Sequence, residues 1–171
     1  WNIPAGLGRN QETIRFTTPG TAQRRLTQTL DIALKTFMPA MTTRVASCSC
    51  GQLKAMIEAA PIRVGVCHCL ACQQRTGSVF GAQARFARSA VTITGQSTEF
   101  IRTGDEGSKA SFNFCPLCGA TVFYFTVGTH ETVGIPVGAF ADPTFPGPSV
   151  SVYEERMHTW VKMPEAIEHI P

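Results

Sequence analysis

The chain has 171 residues, 43% hydrophobic and 16% charged, enough for one domain with a proper core and hardly enough for two. Residues 1–40 hold five basic residues (Arg9, Arg15, Arg24, Arg25, Lys35) against Glu12 and Asp31, which accounts for the whole net charge of +3, because residues 41–171 hold ten of each sign. A neutral main domain carries no electrostatic footprint for nucleic acid or anionic membrane, and its apolar runs are too short for a transmembrane helix.

Residues 1–40 are set apart as an N-terminal extension: a leader foreign to the native protein, an organellar transit peptide or an accessory helix. Within it Leu26, Leu30, Ala33, Leu34 and Phe37 share one face of a helical period over Ala22–Phe37, and Pro39 closes the pattern. The functional domain is placed at 41–171. Its fifteen-glycine, eleven-proline background (counted over the whole chain), with many Val, Thr and Phe, predicts a mainly β fold joined by tight turns. Gln52–Ile57 alternates weakly. Val91–Thr94 reads as a strand ended by Gly95, with Glu99–Arg102 as its expected partner, closed by Gly104. Ser111–Phe114 and Thr121–Thr126 read as the two arms of a hairpin with Cys115 and Cys118 at its tip. Val133–Val137 and Val150–Tyr153 supply further strands, separated by an irregular loop marked by Pro143, Pro146 and Pro148.

Seven cysteines cannot all pair within one chain. With no secretory h-region and cleavage site near the start, they point to reduced thiols in the cytoplasm, used for metal binding or catalysis. They form three groups: Cys48-Ser49-Cys50-Gly51, Cys67-His68-Cys69-Leu70-Ala71-Cys72, and Cys115-Pro116-Leu117-Cys118-Gly119. In the last group the spacing aims two sulfurs at one centre, and its glycine permits the bend that turns backbone amides toward them. The Cys48–Cys50 pair can do likewise, and two such pairs saturate a tetrahedral zinc. The middle group then offers three ligands and an open position. Three thiolates leave that site with a net negative charge, poor for activating water but suited to an incoming thiol. Spacing alone leaves other partitions open. Cys69 and Cys72 could join Cys115 and Cys118 in a ribbon, and His68 could be a ligand. His130, His158 and His169 have no companion at ligand spacing.

With these groups in view, the chain resembles the glutathione-dependent formaldehyde-activating (GFA) family. The resemblance rests on Cys48-x-Cys50-Gly51, on the run from Cys67 through Cys72-Gln73-Gln74-Arg75-Thr76-Gly77-Ser78, and on Phe114-Cys115-Pro116-x-Cys118-Gly119. It extends to Val91–Gly95, Arg102–Asp105, Val137–Pro143 and Glu155–Val161, covering about residues 44–171. The resemblance implies an Mss4-like fold of several coiled antiparallel sheets around zinc. It implies two zinc ions, one structural on Cys48, Cys50, Cys115 and Cys118, and one catalytic on Cys67, Cys69 and Cys72. It also implies a carbon–sulfur lyase that joins glutathione or another small-molecule thiol to formaldehyde or a related aldehyde. Arg75, Gln73 and Thr76 are the candidate substrate-binding residues, Arg75 first because a guanidinium can fork onto a carboxylate. The competing expectation is a thiol carrier or zinc-stabilised binding module without turnover.

Overall fold

The computed structural model describes residues 43–104 and 107–171, which fall in one unit of the chain, Ala40–Pro171. The helix expected over Ala22–Phe37 and Asp105 of the Arg102–Asp105 motif lie outside the described residues. The described chain is mainly β. Its strands are β1 (Arg44–Ser47), β2 (Lys54–Ile57), β3 (Arg63–Cys67), β4 (Gly81–Ala87), β5 (Val91–Thr94), β6 (Thr98–Thr103), β7 (Lys109–Phe114), β8 (Thr121–Thr126), β9 (Thr129–Pro136), β10 (Val150–Val152) and β11 (Glu168–Ile170). One short helix, α1 (Leu70–Thr76), follows β3. Among the described residues no helix is long and apolar enough to cross a membrane.

The strands form two sheets. One has three strands in the order β1-β2-β5, and the other has eight in the order β11-β10-β3-β4-β9-β8-β7-β6. The large sheet is mixed, because β10 runs parallel to both β3 and β11. Alternation explains how the two sheets pack. Ala46, Ala55, Ile57 and Val91 of the small sheet meet Val64, Ala84, Phe86, Phe123, Val133 and Ile135 of the large one in a single core. Strands β2, β4 and β9 place every second side chain there, whereas β8 adds the adjacent Val122 and Phe123.

The strand pairing corrects one expectation. β5 pairs not with β6 but with β2, Val91 opposite Ile57 and Ile93 opposite Ala55. Those apolar residues belong in the core, whereas β6 is exposed along most of its length and pairs outboard on β7. Gln52 fixes the parting of the two strands. Its amide donates to the Gln96 carbonyl at 2.7 Å and its own oxygen accepts from the Gln96 N–H at 3.0 Å.

The opposite face of the large sheet carries the polar chemistry. Register places Arg85 beside Gly134, Gly134 beside Tyr124, Tyr124 beside Phe112 and Phe112 beside Phe100. These residues form one row across β4, β9, β8, β7 and β6. Helix α1 lies over this face, with the Arg75 guanidinium 4.7 Å from the centre of the Phe112 ring.

Candidate metal centre

The seven cysteines, none in a disulfide, gather into two clusters. The sulfurs of Cys48, Cys50, Cys115 and Cys118 all lie within 4.8 Å of one another, as do those of Cys67, Cys69 and Cys72. The zinc-ribbon alternative, which would have joined Cys69 and Cys72 to Cys115 and Cys118, is not the arrangement observed. His68 belongs to neither cluster; it is fully buried and stands edge-on to Phe80 at 5.8 Å.

The four-sulfur cluster is assembled from two turns. The first follows β1 and the second joins β7 to β8. Gly51 and Gly119 sit in them at φ 77° and 74°, the left-handed region that a side chain disfavours. With the chain bent this way, the Leu53 N–H reaches the Cys48 sulfur at 3.3 Å, and the Gln52 amide reaches the Cys115 sulfur at 3.1 Å. Burial pushes the Cys115 thiol up, but the Gln52 amide and the backbone N–H groups of Cys118 and Leu117 outweigh it, and its pKa falls to about 6. Cys50 goes the other way. A backbone N–H from Gln52 favours its thiolate, yet the neighbouring Cys48 sulfur and burial drive its pKa to about 12. Sulfurs so crowded cannot all ionise unless a cation sits among them. Four converging soft donors with N–H groups aimed at them fit a tetrahedral zinc closed to other ligands.

The three-sulfur cluster is built at the junction of β3 and α1. Cys67 ends the strand, Cys69 caps the helix and Cys72 lies in its first turn, its N–H donating to the Cys69 sulfur at 3.4 Å. The Gln83 amide approaches the Cys72 sulfur at 3.8 Å. Hydrogen bonding from Cys67 lowers the Cys72 pKa to about 5 against the opposing effect of burial, with further help from Cys69 and from the charges of Arg75 and Arg102. The same contact with Cys72, together with burial, pushes Cys67 up. A cavity of about 560 Å³ opens over this cluster, lined by all three cysteines together with Arg85, Arg102, Phe112 and Tyr124. Three soft donors facing a cavity fit a zinc ion with one exchangeable position.

The expected substrate-binding residues land unevenly. Arg75 lies in a smaller cleft with Phe100, Arg102 and Phe112, and its buried Nε has no hydrogen-bond partner. Gln73 faces the protein. Its amide donates to the His68 carbonyl at 2.8 Å and the Arg156 carbonyl at 3.1 Å, and its oxygen stands 3.1 Å from His158 Nε2. Thr76 donates its hydroxyl to the Cys72 carbonyl at 2.9 Å. Neither Gln73 nor Thr76 lines the cavity. What the cavity does contain is Arg102, which opens the Arg102–Asp105 motif, and four residues with no motif around them: Arg63, Arg85, Lys109 and Tyr124. Strand alternation was the one signal that could have put Arg63, Arg85 and Tyr124 on the face away from the core.

A mainly β domain with one closed and one open sulfur cluster defines a class of cysteine-rich proteins able to hold metal. Within that class the family is specific: the sequence model of the glutathione-dependent formaldehyde-activating enzymes matches residues 43–161, a span that includes all seven cysteines, and the chain belongs to this family. A crystal structure of a Rhodobacter sphaeroides protein is similar at 19% identity and a TM-score of 0.43, over 56% of this chain and 85% of that one. No curated protein matches the chain.

Proposed function

We propose that the protein adds a small-molecule thiol of the glutathione type to formaldehyde or a related small aldehyde, the synthetic direction of a carbon–sulfur lyase, at Cys67, Cys69 and Cys72. The observation that carries this is the contrast between the two clusters. One set of four sulfurs closes on itself, while the set of three faces a cavity large enough for a tripeptide-sized ligand. Zinc held by the three cysteines would depress the pKa of an incoming thiol, so that thiolate is available near neutral pH. A second zinc on Cys48, Cys50, Cys115 and Cys118 would be structural.

The remaining roles belong to side chains. Arg63, Arg85, Arg102 and Lys109 line the cavity and no acidic residue does so among the described residues, so an anionic thiol is drawn in and a cationic one repelled. Arg102 carries two buried nitrogens, Nε and Nη1, and Arg75 one, Nε, without hydrogen-bond partners. Both guanidiniums stand over the Phe112 ring. A carboxylate of the thiol would satisfy such donors, in the paired geometry that guanidinium favours. Gln73 and Thr76 hold α1, and with it Cys69 and Cys72, in place.

The test is a cobalt-substituted protein titrated with glutathione and with S-methylglutathione. Glutathione is expected to change the charge-transfer bands of one cobalt and leave the other unaltered, while the methylated ligand has far less effect. Adduct formation is then measured against the uncatalysed reaction. Turnover at the background rate would leave a thiol-binding protein, and no spectral response to any thiol would remove sulfur chemistry altogether.

A further inference from the structure

We propose that Tyr124 is a catalytic residue, its phenol hydroxyl donating a hydrogen bond to the aldehyde oxygen and then the proton as the thiol adds to the carbonyl carbon. The proposal rests on the addition reaction inferred above and names the group that completes it.

Addition of a thiol moves a pair of electrons onto the carbonyl oxygen, and that oxygen needs a proton donor beside it. The cavity offers few candidates. Arg63, Arg85 and Arg102 can donate hydrogen bonds but do not release a proton. Gln83 beside Cys72 cannot either. Lys109 and the phenol of Tyr153 also line the cavity and can release a proton, but Lys109 is exposed and Tyr153 only half-buried. Tyr124 is the buried donor, only 5% exposed, and it lines the same cavity as the three cysteines.

Its position is built by its neighbours. Phe112 stacks against the ring from β7 with centroids 5.2 Å apart, and the Arg85 guanidinium stands 5.9 Å from its centre. On the adjacent strand the residue opposite is Gly134. A Cβ there would overlap the ring and crowd the hydroxyl. The glycine therefore lets the ring lie across β9 toward Arg85 of β4, in the cavity that Gln83 and Cys72 also line. The sequence thus gives up a side chain at 134 to fix a phenol at 124.

A buried tyrosine hydroxyl ordinarily finds a hydrogen-bond partner, and an oxygen acceptor entering the cavity that Tyr124 lines would be one. Burial, the largest influence, raises the phenol pKa. Arg85 and Arg75 oppose this, and the charges of Cys72 and Cys67 reinforce it. The group accordingly stays protonated at neutral pH and lies within electrostatic reach of the sulfur cluster.

The step balances without a further reactant. The thiol proton leaves to solvent, the sulfur pair forms the C–S bond, and the carbonyl π pair moves to oxygen. Tyr124 protonates that oxygen, and solvent returns one proton to the phenolate. Thiol and aldehyde become the S-hydroxyalkyl adduct and the protein is unchanged. In the cleavage direction the same phenol is regenerated in reverse.

The experiment compares Tyr124→Phe with the zinc-loaded wild type. This change deletes one oxygen and keeps the ring in its stack. Catalysed adduct formation at saturating thiol is expected to fall about 100-fold, at the low end of what proton-transfer groups contribute. The KM for the thiol, the thiol-induced cobalt spectrum and the melting temperature should stay at wild-type values. Wild-type turnover in the variant overturns the proposal and leaves the addition reaction standing. A loss of turnover together with weakened thiol binding or lowered melting temperature also overturns it, because Tyr124 would then be structural. A wild-type protein with no turnover above background overturns both this role and the reaction it serves.

Discussion

At the scale of single residues, Gln52 shows how a side chain outside a metal-ligand motif can govern the site. Its amide donates to the Cys115 sulfur at 3.1 Å and to the Gln96 carbonyl at 2.7 Å, so one group both steadies a thiolate and pins the turn beyond β5. Groups that hydrogen-bond metal ligands commonly tune affinity by about 10- to 100-fold. Gln52→Leu is therefore expected to weaken metal retention in the four-cysteine cluster by about 10-fold or more in chelator competition, with the three-cysteine cluster unaffected. Equal loss from both clusters would point to general destabilisation instead. The cysteines themselves were legible in the sequence because their chemistry is local, two or three sulfurs within six residues and a glycine after two of the pairs. Gln52, Tyr124 and Gly134 were not. Their meaning arises from contacts between residues far apart in the chain, and a lone tyrosine on a strand is ordinary core material until its neighbours are known.

At the scale of elements, periodicity revealed most strands of the domain but not which would pair. Val91–Thr94 and Glu99–Arg102 look like a hairpin because they are close in sequence, yet burial of Val91 and Ile93 draws β5 to β2 and leaves β6 at the far edge of the other sheet. Helix α1 was not legible either. Seven residues give too short a window for a helical period, and the cap is a cysteine rather than a serine or aspartate. Strand β11 illustrates how little can hold an element. It pairs with β10 through three residues, all exposed, and His169 Nδ1 meets Glu154 at 2.8 Å. Hydrogen bonding to Glu154 raises the pKa of His169 above its ordinary value, while that of Glu154 is lowered. A raised histidine pKa contributes stability that is full below the unfolded value and is lost as pH rises through the folded one. The depressed carboxylate is lost on the acid side. Amide protection in β11, corrected for intrinsic exchange, should accordingly be greater at about pH 6 than at about pH 8.5. In His169→Ala the difference should disappear, and its persistence would show that this pair does not hold the strand.

At the scale of the whole domain, the four-cysteine cluster is the joint between the two sheets. Cys48 and Cys50 extend from β1 of the small sheet, and Cys115 and Cys118 from the β7–β8 turn of the large one. A metal ion there would cross-link strands that otherwise meet through the shared core and the Gln52–Cys115 contact. Structural zinc contributes roughly 10–16 kcal/mol of apparent binding free energy in small domains, comparable to the roughly 5–15 kcal/mol by which a domain is stable at all. Removing one ligand from this joint should therefore cost the fold. The three-cysteine cluster differs because its ligands come from β3 and the adjoining α1, within a single sheet and its covering helix, so no second body depends on it. Cys69 is the informative position there. Its sulfur caps α1 by accepting the Cys72 N–H, and a serine hydroxyl at the same place is among the best helix caps. Cys69→Ser would thus remove a proposed zinc ligand and keep the local structure. Cys118→Ser is expected to aggregate or lose its cooperative thermal transition, whereas Cys69→Ser should remain folded and hold one zinc per chain instead of two. Metal content and melting curves of the two variants measured side by side decide it. A folded Cys118→Ser with a collapsed Cys69→Ser would assign the structural role to the wrong cluster, and with it the cavity, the cationic wall and the thiol chemistry placed beside Cys67, Cys69 and Cys72.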